Sequence, residues 1–142
     1  MLRNNRHNII RKIIADQFRK KNLYEVYEEV TAVEVNGSTR RSDIIIIDRK
    51  KNKGYIVDPT IRFEVEQDQP LKVHLEKQNI YSRTINYYKE KYLIQNFEVI
   101  GLLIGARGTI PKFLADFWKK FNLENNVLKI IALSAIKHSI YI

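Results

Sequence analysis

The sequence has no cysteine, one methionine, one tryptophan, three prolines and five glycines. Without cysteine there can be no disulfide, no zinc–thiolate site and no thiol nucleophile, and the chain suits a reducing compartment. No apolar run is long enough to span a bilayer, and the opening MLRNNRHNIIRK is not built like a signal peptide. These absences predict a soluble, intracellular chain with no membrane partner. HExxH, Walker A and serine-triad signatures are missing as well. Internal repeats and low-complexity linkers are also missing, so residues 1–142 read as a single domain.

Positive charge is what the chain has in excess. Lysine and arginine number 25 against 16 acidic residues, a formal net charge of +9. A basic balance concentrates polyanions such as nucleic acid near a protein, and a generic solvated surface would carry the same charge. The basic residues are spread along the chain rather than gathered in a tail, which favours a basic face on a folded domain.

Hydrophobic periodicity predicts the element order. Ile9, Ile10, Ile13, Ile14 and Phe18 recur at helical spacing over 8–21. LYEVYEEVTAVEV (23–35) alternates and reads as a strand, followed by a turn at NGS. SDIIIID (42–48) is apolar on both faces and therefore central. GYIVDPTIRFEV (54–65) completes a hairpin with it. A long helix is expected over 70–92, with Leu71, Leu75, Tyr81, Ile85, Tyr88 and Tyr92 as its apolar stripe. FEVIGLLIG (97–105) reads as another buried strand. A helix over 110–121 follows, with Thr109 as cap and Pro111 in the first turn. A last helix over 125–138 has Val127, Leu128, Ile131 and Leu133 on its apolar face, and SIYI at the end suggests a short strand. The order α-β-β-β-α-β-α-α predicts an α/β domain with one mixed sheet flanked by helices.

Two aspartates break the apolar strands. If the hairpin closes symmetrically around residues 50–51, Asp43 lies opposite Asp58, with Cβ atoms about 4.5–5.5 Å apart. Like charges at that distance repel, and burial adds to the cost. A divalent cation between them removes both penalties, so the pair suggests a Mg²⁺ or Mn²⁺ site. A plainer reading stands beside it: Asp43 begins its strand at the solvent boundary and Asp58 caps a turn before Pro59. Proline has no N–H to give a ladder, which confines Pro59 to an edge, a bulge or a strand end. A break there would turn the Pro59 carbonyl toward the site. Thr60, Arg62 and Glu64 alternate onto the Asp58 side. Glu64 is either an outer ligand or the salt partner of Arg62, and the pair is favoured. Glu28, sharing a face with Val26 and Val30, is expected to point inward. Lys77, at the edge of the helical stripe, can reach the sheet or stay in solvent. His7 is expected to cap its helix or touch a phosphate rather than bind metal. His74 and Trp118 are expected to be packing residues. In GARGT the amides and Arg107 can bind a phosphate, and a plain capped turn is the favoured reading.

Arg41-Ser42-Asp43, fourteen residues, then Asp58-Pro59-Thr60-Ile61-Arg62-Phe63-Glu64, within that element order, resembles the PD-(D/E)xK restriction-endonuclease-like fold. The closer resemblance is to the restriction-like endonuclease domain of site-specific non-LTR retrotransposons that insert into ribosomal RNA genes. In that family Arg or Lys and Pro-Asp are followed, twelve to fourteen residues on, by an acidic residue opening a DxTxxxE-like stretch. RHNIIRKIIADQFRKKNLYEVYEEV is similar to the segment before the motif, and EVIGLLIGARGTIPKFLADFWKKFNL to the segment after it. The resemblance therefore covers most of the chain. Ser42 departs from the family's proline. Thr60 stands where the general fold has its lysine. In the retrotransposon branch that lysine comes from the following helix, in a KxxKY-like pattern. Lys77 is its nearest equivalent here, with Ile80 in place of the second lysine and Tyr81 after it.

The resemblance implies metal-dependent phosphodiester hydrolysis that nicks DNA in the nucleus. It implies Mg²⁺, with Mn²⁺ as substitute, held by Asp43, Asp58 and the Pro59 carbonyl, with Lys77 completing the catalytic set. Glu28, Thr60 and Glu64 would lie in the outer shell. Arg40, Arg41, Lys77, Arg107 and His7 would contact nucleic acid. Reverse-transcriptase and zinc-knuckle domains would belong to a larger element outside this chain. Two alternatives remain open from the sequence: a nucleic-acid-binding relic that has lost cleavage with the second lysine, and a stand-alone resolvase or repair nuclease.

Overall fold

A computed structural model describes residues 2–139, with side chains described for 5–137. The elements are α1 (Leu2–Lys20), β1 (Glu25–Val33), β2 (Thr39–Asp48), β3 (Lys53–Arg62), α2 (Gln69–Tyr81), α3 (Ile85–Tyr92), β4 (Asn96–Gly105), α4 (Lys112–Lys120) and α5 (Asn125–Ser139). The sheet runs β1-β2-β3-β4, with antiparallel pairs except for the parallel β3–β4 pair. A mixed sheet flanked by helices is therefore the architecture. The parallel pair needs a crossover, and α2 and α3 supply it.

Each face of the sheet buries its own cluster. On one side Ile10, Ile14 and Phe18 of α1 meet Ile44, Ile46, Val57 and Leu102, with Trp118 and Ile131 from α4 and α5. On the other, Ile45, Ile47, Ile56 and Val99 pack against Tyr81, Tyr88 and Tyr92. The IIII run is thus buried on both faces, as its composition requires for an interior strand. His74 and Trp118 are packing residues as expected: the His74 ring lies on Phe113, and Trp118 is fully buried.

Several local expectations change. The 70–92 helix is broken by a single 3₁₀ turn at Ser82–Thr84. The Thr84 hydroxyl donates to the Tyr81 carbonyl, a local bond that competes with helix continuation. Leu71 and Leu75 are about half exposed, while Val73 is buried. The stripe fails there because α2 meets β4 through Val73 and Lys77: a Cβ on Gly101 would lie 2.8 Å from Lys77 Cβ and 3.0 Å from the Val73 carbonyl oxygen. Leu133 is exposed while Val127, Leu128 and Ile131 are buried. Pro111, not Thr109, sits at the N-cap of α4. The expected strand at SIYI begins at the end of α5, and its last three residues lie outside the described residues.

The hairpin register follows the symmetric expectation. Ile44 pairs with Val57 and Asp48 with Lys53, which sets Asp43 opposite Asp58 just beyond the last paired rung. Past Val57, β3 keeps β4 as its neighbour, with Pro59 beside Leu102. Pro59 is tolerated because the β2 ladder has ended before it.

Candidate metal and phosphate site

The site is made by a fault in side-chain alternation. In β1, Val26 packs with the α1-side cluster and Val30 with the tyrosine cluster, though both are even-numbered. Between them Glu29 has φ +54°, in the left-handed region that non-glycine residues seldom occupy. In β2, Ser42 meets Tyr88 on the tyrosine side, while Ile44 lies on the α1 side. The β1–β2 register is the same on both sides of this point, Glu28 with Ile44 and Val30 with Ser42. Both strands therefore slip together at Glu29 and Asp43. The Tyr88 hydroxyl ties the slipped segment down, within 2.7 Å of Ser42 Oγ and 3.1 Å of the Val30 carbonyl oxygen.

Asp43, freed from regular alternation, meets α1. Its Oδ2 lies 3.2 Å from His7 Nε2. Asp58, on the other side of the gap, meets α2: Lys77 Nζ is 3.3 Å from its Oδ2. The Tyr81 hydroxyl lies near Asp58, and ligand atoms of the two aspartates come within 4.8 Å of each other. The His7 ring lies near the Pro59 backbone as well. His7, Asp43 and Asp58 offer one ligand atom each, all within 4.8 Å of one another. Asp58 is only 5% exposed. Gly101 is the cross-strand partner of Asp58. Its missing side chain lets the Lys77 stem lie flat on β4 and carry the ammonium to Asp58.

The electrostatics follow from this crowding. Burial, the hydrogen bond with Asp43 and the charge of Asp43 push Asp58 up to about 6, against the pull of Lys77. Burial also acts on Asp43, but the bonds from His7 and Asp58 and the charges of His7 and Arg11 carry it below the usual range. The hydrogen bond to Asp43 raises His7, against its partial burial. The two carboxylates therefore titrate as a coupled pair, as expected for close like charges.

Asp43, Asp58, Lys77 and the Pro59 carbonyl thus converge as the sequence suggested. Other expectations need correction. His7 does not cap its helix; it stands inside α1 against Asp43, with its side chain 32% exposed. Glu28 does not share a face with Val30, because the slip separates them. Arg11 and Arg19 hold it at 3.1 and 2.8 Å. Glu64 is not paired with Arg62, which binds Glu76 at 2.6 Å. The Glu64 carboxylate instead accepts from the Arg107 and Thr109 amides and the Thr109 hydroxyl. It therefore occupies the GARGT amides considered for phosphate, and it takes the Thr109 hydroxyl from its capping role. Arg107 lies over the Phe63 ring. Thr60 lies two residues beyond Asp58 on β3 and is partly buried. Arg40 and Arg41 border the site: Arg40 lies over the Tyr81 ring and binds Glu34, and Arg41 stands 3.6 Å from Glu29. Tyr81 was legible as an apolar stripe residue and as the tyrosine of the KxxKY-like pattern, not as a neighbour of Asp58.

Fold and site together define a class: a mixed α/β domain in which a sheet end gathers two carboxylates, an imidazole and an ammonium. No protein-family profile and no curated protein matches the chain. A crystal structure of a protein of unknown function, AF1548, aligns with 80% of this chain at 8% identity and a TM-score of 0.42. The match covers 54% of that chain, so this chain spans about half its length. Likeness at that level says nothing of function. No helix among the described residues is long and apolar enough to cross a membrane.

Proposed function

We propose that the chain is a metal-dependent DNA endonuclease domain of the PD-(D/E)xK kind, resembling those of non-LTR retrotransposons. The observation that carries the reading is the abutment of Asp43 and Asp58, two mostly buried carboxylates, with the Lys77 ammonium alongside. A structural ion pair needs one carboxylate. A second one pressed against it raises the energy even with His7 beside it, and a cation shared by both would relieve that repulsion.

Asp43, Asp58 and the Pro59 carbonyl would hold a Mg²⁺ or Mn²⁺ ion, all hard oxygen donors on strand backbone. A carboxylate has two oxygens, so Lys77 and an ion can share Asp58. A bound divalent ion would polarise a phosphate oxygen and make a water acidic enough to attack. Lys77, held beside Asp58, is placed to donate to a phosphate oxygen as negative charge grows there. Tyr81, near Asp58, would steady that carboxylate. Arg40 and Arg41, both exposed at the border, would meet neighbouring phosphates without reading sequence. Reverse-transcriptase and zinc-knuckle partners and a nuclear setting belong to the same reading.

A second reading has an observation behind it. Ile80, standing where the resembling family has its second lysine, is half-buried against the tyrosine cluster. A chain that keeps DNA binding but has lost turnover would look the same.

Nicking of supercoiled plasmid separates the two. Wild type with Mg²⁺ or Mn²⁺ should nick, chelator should stop it, and Asp58→Asn should lose about 100-fold or more. Folded wild type that binds DNA in a salt-sensitive way without nicking would establish the relic instead.

A further inference from the structure

The Asp43–Asp58 pair is completed by a nitrogen. His7 comes from α1, an element far from the acidic motif in sequence. Its position is set by packing. His7, Ile10 and Ile14 fall on one helix face, and Ile10 and Ile14 are fully buried against the sheet. Burying those two aims the imidazole at the sheet end. There Nε2 stands 3.2 Å from Asp43 Oδ2, and the ring lies near the Pro59 backbone. These contacts make His7 a neighbour of two of the three oxygen donors proposed for the ion.

Spacing fits a common ion. Ligand atoms at about 2.1 Å from a metal lie at most about 4.2 Å apart when they face each other across it. The His7, Asp43 and Asp58 ligand atoms lie within 4.8 Å of one another, so small side-chain shifts close them around one centre. Imidazole is a poor donor for Mg²⁺, which favours oxygen and keeps its waters. It is a good one for first-row transition ions.

We propose that His7 is a direct third side-chain ligand, through Nε2, and that the site consequently selects a transition ion such as Mn²⁺ over Mg²⁺. The inference rests on the metal reading above. The rival role is outer: the ring binds Asp43, orients that carboxylate and never touches the ion.

Pulsed EPR of the Mn²⁺-loaded chain distinguishes these roles without needing activity. Direct coordination gives a ¹⁴N coupling on Mn²⁺, which changes to ¹⁵N when only histidine is ¹⁵N-labelled. The coupling should vanish in His7→Gln. Competition titration should show Mn²⁺ binding about tenfold or more tighter than Mg²⁺. His7→Gln should weaken Mn²⁺ by about 10–100-fold and Mg²⁺ far less. Circular dichroism of His7→Gln guards against misfolding, and the labelled wild type gives the answer alone if that variant fails. Mn²⁺ bound with no histidine coupling would overturn the inference and leave the carboxylate site standing. Mg²⁺ binding as tightly as Mn²⁺ would overturn the selectivity. No binding of either ion by folded wild type would overturn the metal reading itself.

Discussion

Two carboxylates near the end of β3 meet opposite fates. Glu64 is satisfied: two backbone amides and the Thr109 hydroxyl surround it. Burial alone would raise its pKa, yet the Thr109 hydroxyl and those amides hold it below the ordinary value. Asp58 is not satisfied in this way. Its neighbours include another carboxylate, and it is held well above the ordinary range. The first arrangement is complete with protein groups alone. The second has Lys77 on one side and the Asp43 carboxylate on the other, so it still competes for a proton, or for a cation that takes the proton's place. An acid that the fold surrounds with donors is architecture; a buried one that the fold leaves competing for a proton points to a ligand.

The comparison can be broken most strongly at activity. Asp58→Asn is expected to reduce metal-dependent nicking by about 100-fold or more, while Glu64→Gln leaves nicking per folded molecule unchanged. Equal losses in both would erase the distinction. Next comes Gly101→Ala. Its Cβ would fall 2.7 Å from Lys77 Cγ and push α2 away from β4. A loss of about 1–3 kcal/mol in stability is expected, together with lower nicking, read by denaturant melts and the plasmid assay. Glu64→Gln should cost about 1–2 kcal/mol by weakening its bonds to the Arg107 and Thr109 amides, read in the same melts. Tyr88→Phe should cost about 1 kcal/mol, because buried Ser42 loses its partner.

The pH dependence sharpens the contrast. The folded-state pKa of Asp58 lies above its unfolded value, so the fold binds the proton more tightly than the unfolded chain does. Stability from this group is present below about pH 4 and declines as pH rises toward about 6. In Asp58→Asn that decline should disappear from the melting profile. Glu64 has the opposite sign: its contribution is present above the unfolded carboxyl pKa and fades as pH falls. On the metal reading a divalent ion would replace the Asp58 proton, so its stabilising effect should be larger at pH 8 than at pH 5.

Much of the architecture could be read from the chain because it rests on local rules. The polar RKKNKG connection between two apolar runs fixed the hairpin closure, and with it the opposition of Asp43 and Asp58. Pro59 announced the end of a ladder. Lys77 reached the sheet, although the stripe used to place it was wrong at Leu71 and Leu75. The rest depended on contacts no local rule contains. His7 is aimed by the burial of Ile10 and Ile14 against strands dozens of residues away. The slip at Glu29 puts a positive φ on a residue with no glycine-like preference, and only the Tyr88 bonds reveal what holds it. Glu64 chose the amides of a loop about 43 residues further along the chain over the nearby Arg62. Alternation placed Glu28 beside Val30 because it assumed an unbroken strand.

The central claim is that Asp43 and Asp58 are set together to share a divalent ion. Calorimetric titration of Mn²⁺ into the chain at pH 7.5, against Asp43→Asn and Glu64→Gln, tests it most directly. The account predicts one ion per wild-type chain, unchanged binding in Glu64→Gln, and affinity lowered by about 10–100-fold or more in Asp43→Asn. Folded wild type that takes up no ion, or Asp43→Asn that binds as tightly as wild type, would contradict it.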